Sequence, residues 1–150
     1  YRLFRREILS VGRDPEALRR EVREMRERMR AELDASTAET FDLKQGRGGI
    51  ADIEFMVQYK VLANANRYPD LLAYTDNIRQ LDGLERFGIL SIADAARLRN
   101  AYRGLRRRIH LLKLQERPAR VPLTEASAAR ASVARIWRRL MEEAGTGEAA

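Results

Sequence analysis

The residues best placed to do chemistry are a glycine-rich turn and the acids that follow it. Gly46-Arg47-Gly48-Gly49 leads into an apolar run beginning at Ile50, with Lys44 just ahead. A helix N-terminus offers free N–H groups and positive dipole charge, and glycine lets backbone approach an anion closely. Lys44 and Arg47 add full charges, so the turn is a candidate site for a phosphate or carboxylate. A tight turn that needs positive φ explains the same glycines. Neither the Gly-Lys-Ser/Thr ending of a P-loop nor a Gly-x-Gly-x-x-Gly pattern is present. Asp52 and Glu54 stand just inside the run. On a helix, positions i and i+2 point roughly 200° apart, so this pair does not clasp one metal ion. Asp52 reads as a cap, or as the partner of an arginine from another helix. Glu54 lies one turn before Gln58, either solvated or turned to a neighbouring domain.

Arg99, Arg103, Arg106 and His110 share one face of a predicted helix. Like charges at such spacing repel unless anions are near. The face is a candidate surface for a nucleotide, RNA or an acidic partner; the alternative is a solvated face partly paired with acids of the first helices. His110 is the sole histidine and cysteine is absent, which excludes disulfides, thiolate nucleophiles, Cys-based zinc sites and histidine clusters. His110 is expected at a core edge, hydrogen-bonded rather than acting as a base. No Gly-x-Ser-x-Gly elbow exists. No catalytic residue and no metal site are expected within these residues.

The elements that must position these groups follow from composition and period. With 150 residues, 45% of them apolar, the chain can build one core. Residues 97–139 hold 13 of the 29 basic side chains against two acids, so the net charge of +7 is concentrated there. That supports an alternative reading as a basic, helical nucleic-acid-binding module. Such modules usually offer stacking aromatics, whereas here aromatics are 7% and fall mostly in apolar stripes, so nucleic acid is not the favoured partner. No apolar run reaches the roughly 18 residues of a membrane span, and a membrane partner is not expected.

The expected fold class is all-α: a helical bundle of about five main helices with short connectors. The first helix starts at an Asp14 cap with Pro15 at its first position, and carries a stripe of Leu18, Val22, Met25, Met29 and Leu33. After an extended piece at Phe41, the second runs over about 50–65 and is apolar on nearly every side, the mark of a central helix. The third covers about 76–87 behind a Thr75 cap. The fourth starts at Ser91 and reaches about 116, with Ile92, Ala95, Leu98, Tyr102, Leu105, Ile109 and Leu112 inward. The fifth starts at Thr124 and reaches about 143, with Ala128, Ala131, Ile136, Trp137 and Leu140 inward. Residues 1–13 read as the end of a preceding helix or linker, 14–144 as the bundle and 145–150 as a frayed tail.

Phe41-Asp42-Leu43-Lys44, then Gly48-Gly49-Ile50-x-Asp52-Ile53-Glu54-Phe55 and Gln58-Tyr59, resemble a segment of the bifunctional glutamine synthetase adenylyltransferases, with a looser echo in PII uridylyltransferases. Thr75-Asp76-Asn77-x-Arg79-x-Leu81 and Leu105-Arg106-x-x-x-His110-x-Leu112-x-Leu114-Gln115 agree in the right order, as does Glu24 to Arg30. The resemblance implies a helical domain that follows a nucleotidyltransferase domain; the C-terminal one is expected, with the adenylylating half favoured over the deadenylylating half. It implies a parent enzyme that moves AMP from ATP to a tyrosine of glutamine synthetase and removes it again, using ATP and Mg2+ in the cytoplasm. The Gly-Ser turn and Asp-x-Asp pair of that catalytic domain are missing from this sequence. The fragment alone is therefore expected to be inactive and to bind no cofactor by itself. The implied partners are the preceding nucleotidyltransferase domain, glutamine synthetase and, as a further option, a PII signal protein. Lys44, Arg47, Gly48, Gly49, Asp52 and Glu54 would form the binding or domain-junction segment.

Overall fold

The computed structural model describes residues 14–143. The expectations for residues 1–13 and for the end of the chain lie outside the described residues. Among the described residues five α-helices carry the fold: α1 (Pro15–Leu33), α2 (Ile50–Asn64), α3 (Asn77–Arg86), α4 (Ile92–Leu114) and α5 (Ser127–Trp137). A 3-10 turn (Pro69–Leu72) precedes α3, and one π-helical turn (Arg138–Glu142) continues α5. The all-α expectation therefore holds.

The apolar-all-round helix is the central one. α2 packs against α1, α3, α4 and α5 and buries Ile53, Met56, Val57, Tyr59, Val61 and Leu62. α4 supplies Ala95, Leu98, Ala101, Tyr102, Leu105 and Leu112 to the same core. The caps are local chemistry. The Asp14 carboxylate accepts from the amides of Glu16 and Ala17, and the Ser91 hydroxyl accepts from Asp94 N–H.

A second extended piece went unread in the sequence. β1 (Thr40–Asp42) pairs antiparallel with β2 (Arg120–Pro122), Phe41 opposite Val121. Phe41 and Val121 are both buried, so this two-stranded ribbon pins the α1–α2 connection to the α4–α5 connection. Three residues of Arg-Val-Pro carry no legible period, which is why the sequence did not announce β2.

Several helix details differ from the sequence reading. Asp76, not Thr75, caps α3 and accepts from Arg79 N–H. α5 starts three residues beyond Thr124, behind Ala126 in a left-handed conformation. Ala128 and Ala131 are exposed, while Val133 and Met141 take inward places beside Ile136 and Trp137. Ile92 is 74% exposed, whereas Asp94 and Ala95 of the same turn are buried, so the apolar stripe of α4 begins at Ala95. In α1 the inward line turns out to be Leu18, Val22, Arg26 and Arg30, with Arg19 alongside. Met25 and Met29 sit half-buried on its flank, and Leu33 is exposed. The four-residue step was right, but the lower half of the stripe is charged.

Candidate functional site

The turn that enters α2 is built by the residues around it. Asp42, at the end of β1, accepts from Lys44 N–H (2.9 Å) and Gln45 N–H (3.0 Å) on one carboxylate oxygen and from Ala35 N–H (3.0 Å) on the other. An aspartate that bonds amides two and three residues on is a standard turn builder. It fixes the backbone at Lys44 and ties it to the end of α1. The first amides of α2 are already used: Ile50 N–H donates to Leu43 C=O and Ala51 N–H to Lys44 C=O. Gly48 N–H donates to Asp52 Oδ2 at 2.8 Å. The helix entrance is therefore closed by its own loop, and the anion beside it is the Asp52 carboxylate. The phosphate or carboxylate considered from the sequence would find these amides already bonded.

The glycines serve that closure. Gly48 has φ +87°, and a Cβ there would stand 2.4 Å from the carbonyl oxygen of Arg130 on α5. At Gly49 a Cβ would meet two loop carbonyls at 2.8 Å. The tight-turn explanation holds for Gly48, and close packing accounts for its neighbour.

Asp52 is fully buried. Arg26 Nε donates to Oδ1 at 2.7 Å and Arg30 NH2 donates to the same oxygen at 3.0 Å. The rest of the Arg26 guanidinium donates to Gln45, at Oε1 (3.1 Å) and at the backbone carbonyl (2.9 Å). This Arg–Asp–Arg cluster knits α1, the loop and α2 together. Burial alone would lower the pKa of Arg30. The neighbouring Asp52 and Glu27 more than offset that and hold it above its ordinary value. Sequence reasoning asked for an arginine partner to Asp52 but did not find which. The available signal was Arg26 and Arg30 lying on the step of Leu18 and Val22.

Arg47 is half-exposed and reaches Glu27 (3.6 Å) and Glu142 (3.8 Å), so it bridges α1 and the π turn. Arg99 leaves the expected arginine face to pair with Asp82 (2.9 Å) and Glu85 (2.8 Å) of α3. Arg108 pairs with Glu125 at 3.0 Å. His110 is exposed, not at a core edge as expected, because its position on α4 turns outward between Ile109 and Leu111. Arg103 and Arg106 are exposed and have no ion-pair partner within 4 Å among the described residues.

Glu54 and Lys44 do come together with Arg106. They line a groove of about 370 Å³ whose walls are Met29 of α1, Ile50 and Ala51 of α2, and Tyr102 and Ile109 of α4. Glu54 is partly buried there. Burial pushes its carboxyl above the ordinary range, and Arg26 and Arg106 pull it back in part. The sequence missed one contact at a residue of this groove. Asn77, from the Thr-Asp-Asn run, donates to the Tyr102 hydroxyl at 3.4 Å. No three acids or histidines converge as a metal site among the described residues. No described helix is long and apolar enough to cross a membrane.

The family model described as GlnD PII-uridylyltransferase matches residues 16–145, nearly the whole chain. The chain belongs to that family. It is also 49% identical over 140 residues to a bifunctional glutamine synthetase adenylyltransferase/adenylyl-removing enzyme of Nitrosococcus oceani, and 52% identical over 140 residues to that of Thioalkalivibrio sulfidiphilus. The enzyme of the same name from Pseudomonas aeruginosa is 45% identical over 152 residues. Each alignment covers 93% of this chain but only 14% to 16% of the relative. The chain thus corresponds to a small part of these relatives.

Proposed function

We propose that this chain is the helical domain of a nucleotidyltransferase that moves AMP from ATP to a tyrosine of glutamine synthetase and removes it, tuning nitrogen assimilation. The observation that carries the reading is the match of 93% of the chain, at about half identity, to enzymes named for both reactions. The geometry fits a supporting role. In this reading Mg2+ is held by the nucleotidyltransferase domain, and this chain supplies no three converging acids or histidines among the described residues. What they offer is a rigid loop, pinned by Asp42 and the Asp52 cluster, that presents Lys44 at a groove with Glu54 and Arg106.

In that role the domain packs beside a nucleotidyltransferase domain, with Lys44, Arg47 and Glu54 at the junction. Asp52, Gly48 and Gly49 act from inside, by holding the junction loop. The tyrosine hydroxyl attacks the α-phosphate of ATP and diphosphate leaves. Basic groups near the cleft stabilise the charge that develops. Docking of glutamine synthetase, and of a PII signal protein, belongs to the same proposal, as does a cytoplasmic setting.

The test is AMP transfer from labelled ATP-Mg2+ to purified glutamine synthetase. Two proteins are compared: the chain alone, and a longer polypeptide carrying it behind a nucleotidyltransferase domain. Label is expected only with the longer protein. Label transferred by the chain alone would place a catalytic site within it, and no label from either would remove the transferase reading.

A further inference from the structure

The Lys44 groove does not stop at Arg106. A second recess of about 350 Å³ adjoins it, lined by Lys44, Ile109, Lys113, Glu116 and Arg117 with Pro118 and Ala119. Lys44 and Ile109 belong to both recesses, so the two form one channel along α4 with Lys44 at its middle. Four cations line it: Arg106 on one side of Lys44, Lys113 and Arg117 on the other. All four are exposed, and none has an ion-pair partner within 4 Å among the described residues, unlike Arg26, Arg30, Arg99 and Arg108. Two carboxylates, Glu54 and Glu116, stand in the separate recesses, so the channel carries net positive charge.

Seven residues separate Arg106 from Lys113, which is about 10 Å along a helix. The cations are therefore spread along a line rather than gathered at a point. A single phosphate would reach only part of that line, whereas a chain of two or three phosphates can engage Lys44 and a neighbour on each side. The C-terminal end of α4 opposes an anion through its dipole. That end is closed, however: the amides of Gln115, Glu116 and Arg117 take its last carbonyls, and two full charges outweigh a residual of about half a charge. Glu116 makes the closing turn at φ 56°, a conformation that glycine adopts more readily.

We infer that this channel binds the phosphates of a di- or triphosphate, with Lys44 as the central ligand. Arg106 and Lys113 flank it, and the wall of Ile50, Ile109 and Tyr102 lies at the Glu54 end. The inference deepens the transferase reading and rests on it for the identity of the ligand as a nucleotide. Binding by the chain itself, which departs from the sequence expectation that the fragment alone takes no cofactor, keeps the two separable.

The test is calorimetric titration of the 150-residue chain with inorganic diphosphate, inorganic triphosphate and ATP at low salt. Saturable one-to-one binding of triphosphate is expected, with ATP at least as tight. Lys44→Gln should weaken it about tenfold, the loss of one charge-assisted contact. Lys113→Gln should weaken it less, and Arg135→Gln, on the exposed face of α5, should leave it unchanged. No saturation, or an equal loss in Arg135→Gln, would overturn the site even if the longer protein transfers AMP. Triphosphate binding with ATP rejected would overturn its assignment to a nucleotide. Binding as expected alongside a longer protein that transfers no AMP would leave the site standing and remove only the transferase reading.

Discussion

Asp52 and Glu54 are two residues apart on one helix and have opposite surroundings. Asp52 is sealed among Arg26, Arg30 and the Gly48 amide, with no exposed surface. Glu54 stands half-buried in a groove beside Lys44 and Arg106, with no ion pair within 4 Å among the described residues. A helix turns roughly 200° over two residues, so one short motif delivers a carboxylate to the core and another to the surface. The buried acid is committed to holding α1, the turn and α2 in one arrangement. The surface acid, with Lys44, is left free to meet something else. Charged residues in one motif thus divide into those that build the loop and those that the loop presents.

That division is open to attack at several points. The largest effect is expected at Asp52. Asp52→Ala strands two buried arginines and should cost about 3–5 kcal/mol, a fall of about 10 °C or more in melting temperature by calorimetry. A change within a degree or two would mean that the cluster does not hold the fold. Next comes Gly48→Ala. Positive φ and a Cβ 2.4 Å from the Arg130 carbonyl oxygen should together cost about 2 kcal/mol or more, seen as a lower urea midpoint. On the other side of the division, Lys44→Gln should leave stability within about 0.5 kcal/mol, since the side chain is exposed. A large loss there would merge the two regions into one structural unit.

The smallest effect sharpens the contrast through pH. Burial raises the carboxyl of Glu54 above its usual value. The folded state then holds this proton more tightly than the unfolded state, so the group subtracts stability as pH rises through its ordinary range and beyond. Glu54→Gln should therefore melt slightly higher than the parent near neutral pH and equally with it in acid below that range. The opposite sign would mean that Glu54 is held by an ion pair in the folded protein.

Much of this was legible in the residues. Helix positions followed from apolar spacing, and the Asp14-Pro15 start and the Ser91 cap stand where their chemistry put them. The central place of α2 followed from its lack of a polar side. The resemblance on the Phe41–Tyr59 run agrees with the family match. What the residues hid was long-range. The Arg26 and Arg30 line looks like a solvated helix face until Asp52 arrives from 26 and 22 positions away. The Arg99 face reads as one surface until α3 takes Arg99 out of it. The channel joins Lys44 to Lys113 and Arg117 because the β1–β2 ribbon brings two loops together, and three-residue strands leave almost no trace in a sequence.

The most direct test compares Asp52→Asn and Lys44→Gln in the same longer enzyme, reading melting temperature and AMP transfer to glutamine synthetase on each protein. The account predicts that Lys44→Gln melts with the parent yet loses most of its transfer, while Asp52→Asn loses stability first. Full transfer by Lys44→Gln, or a fall in its melting temperature as large as that of Asp52→Asn, would contradict it.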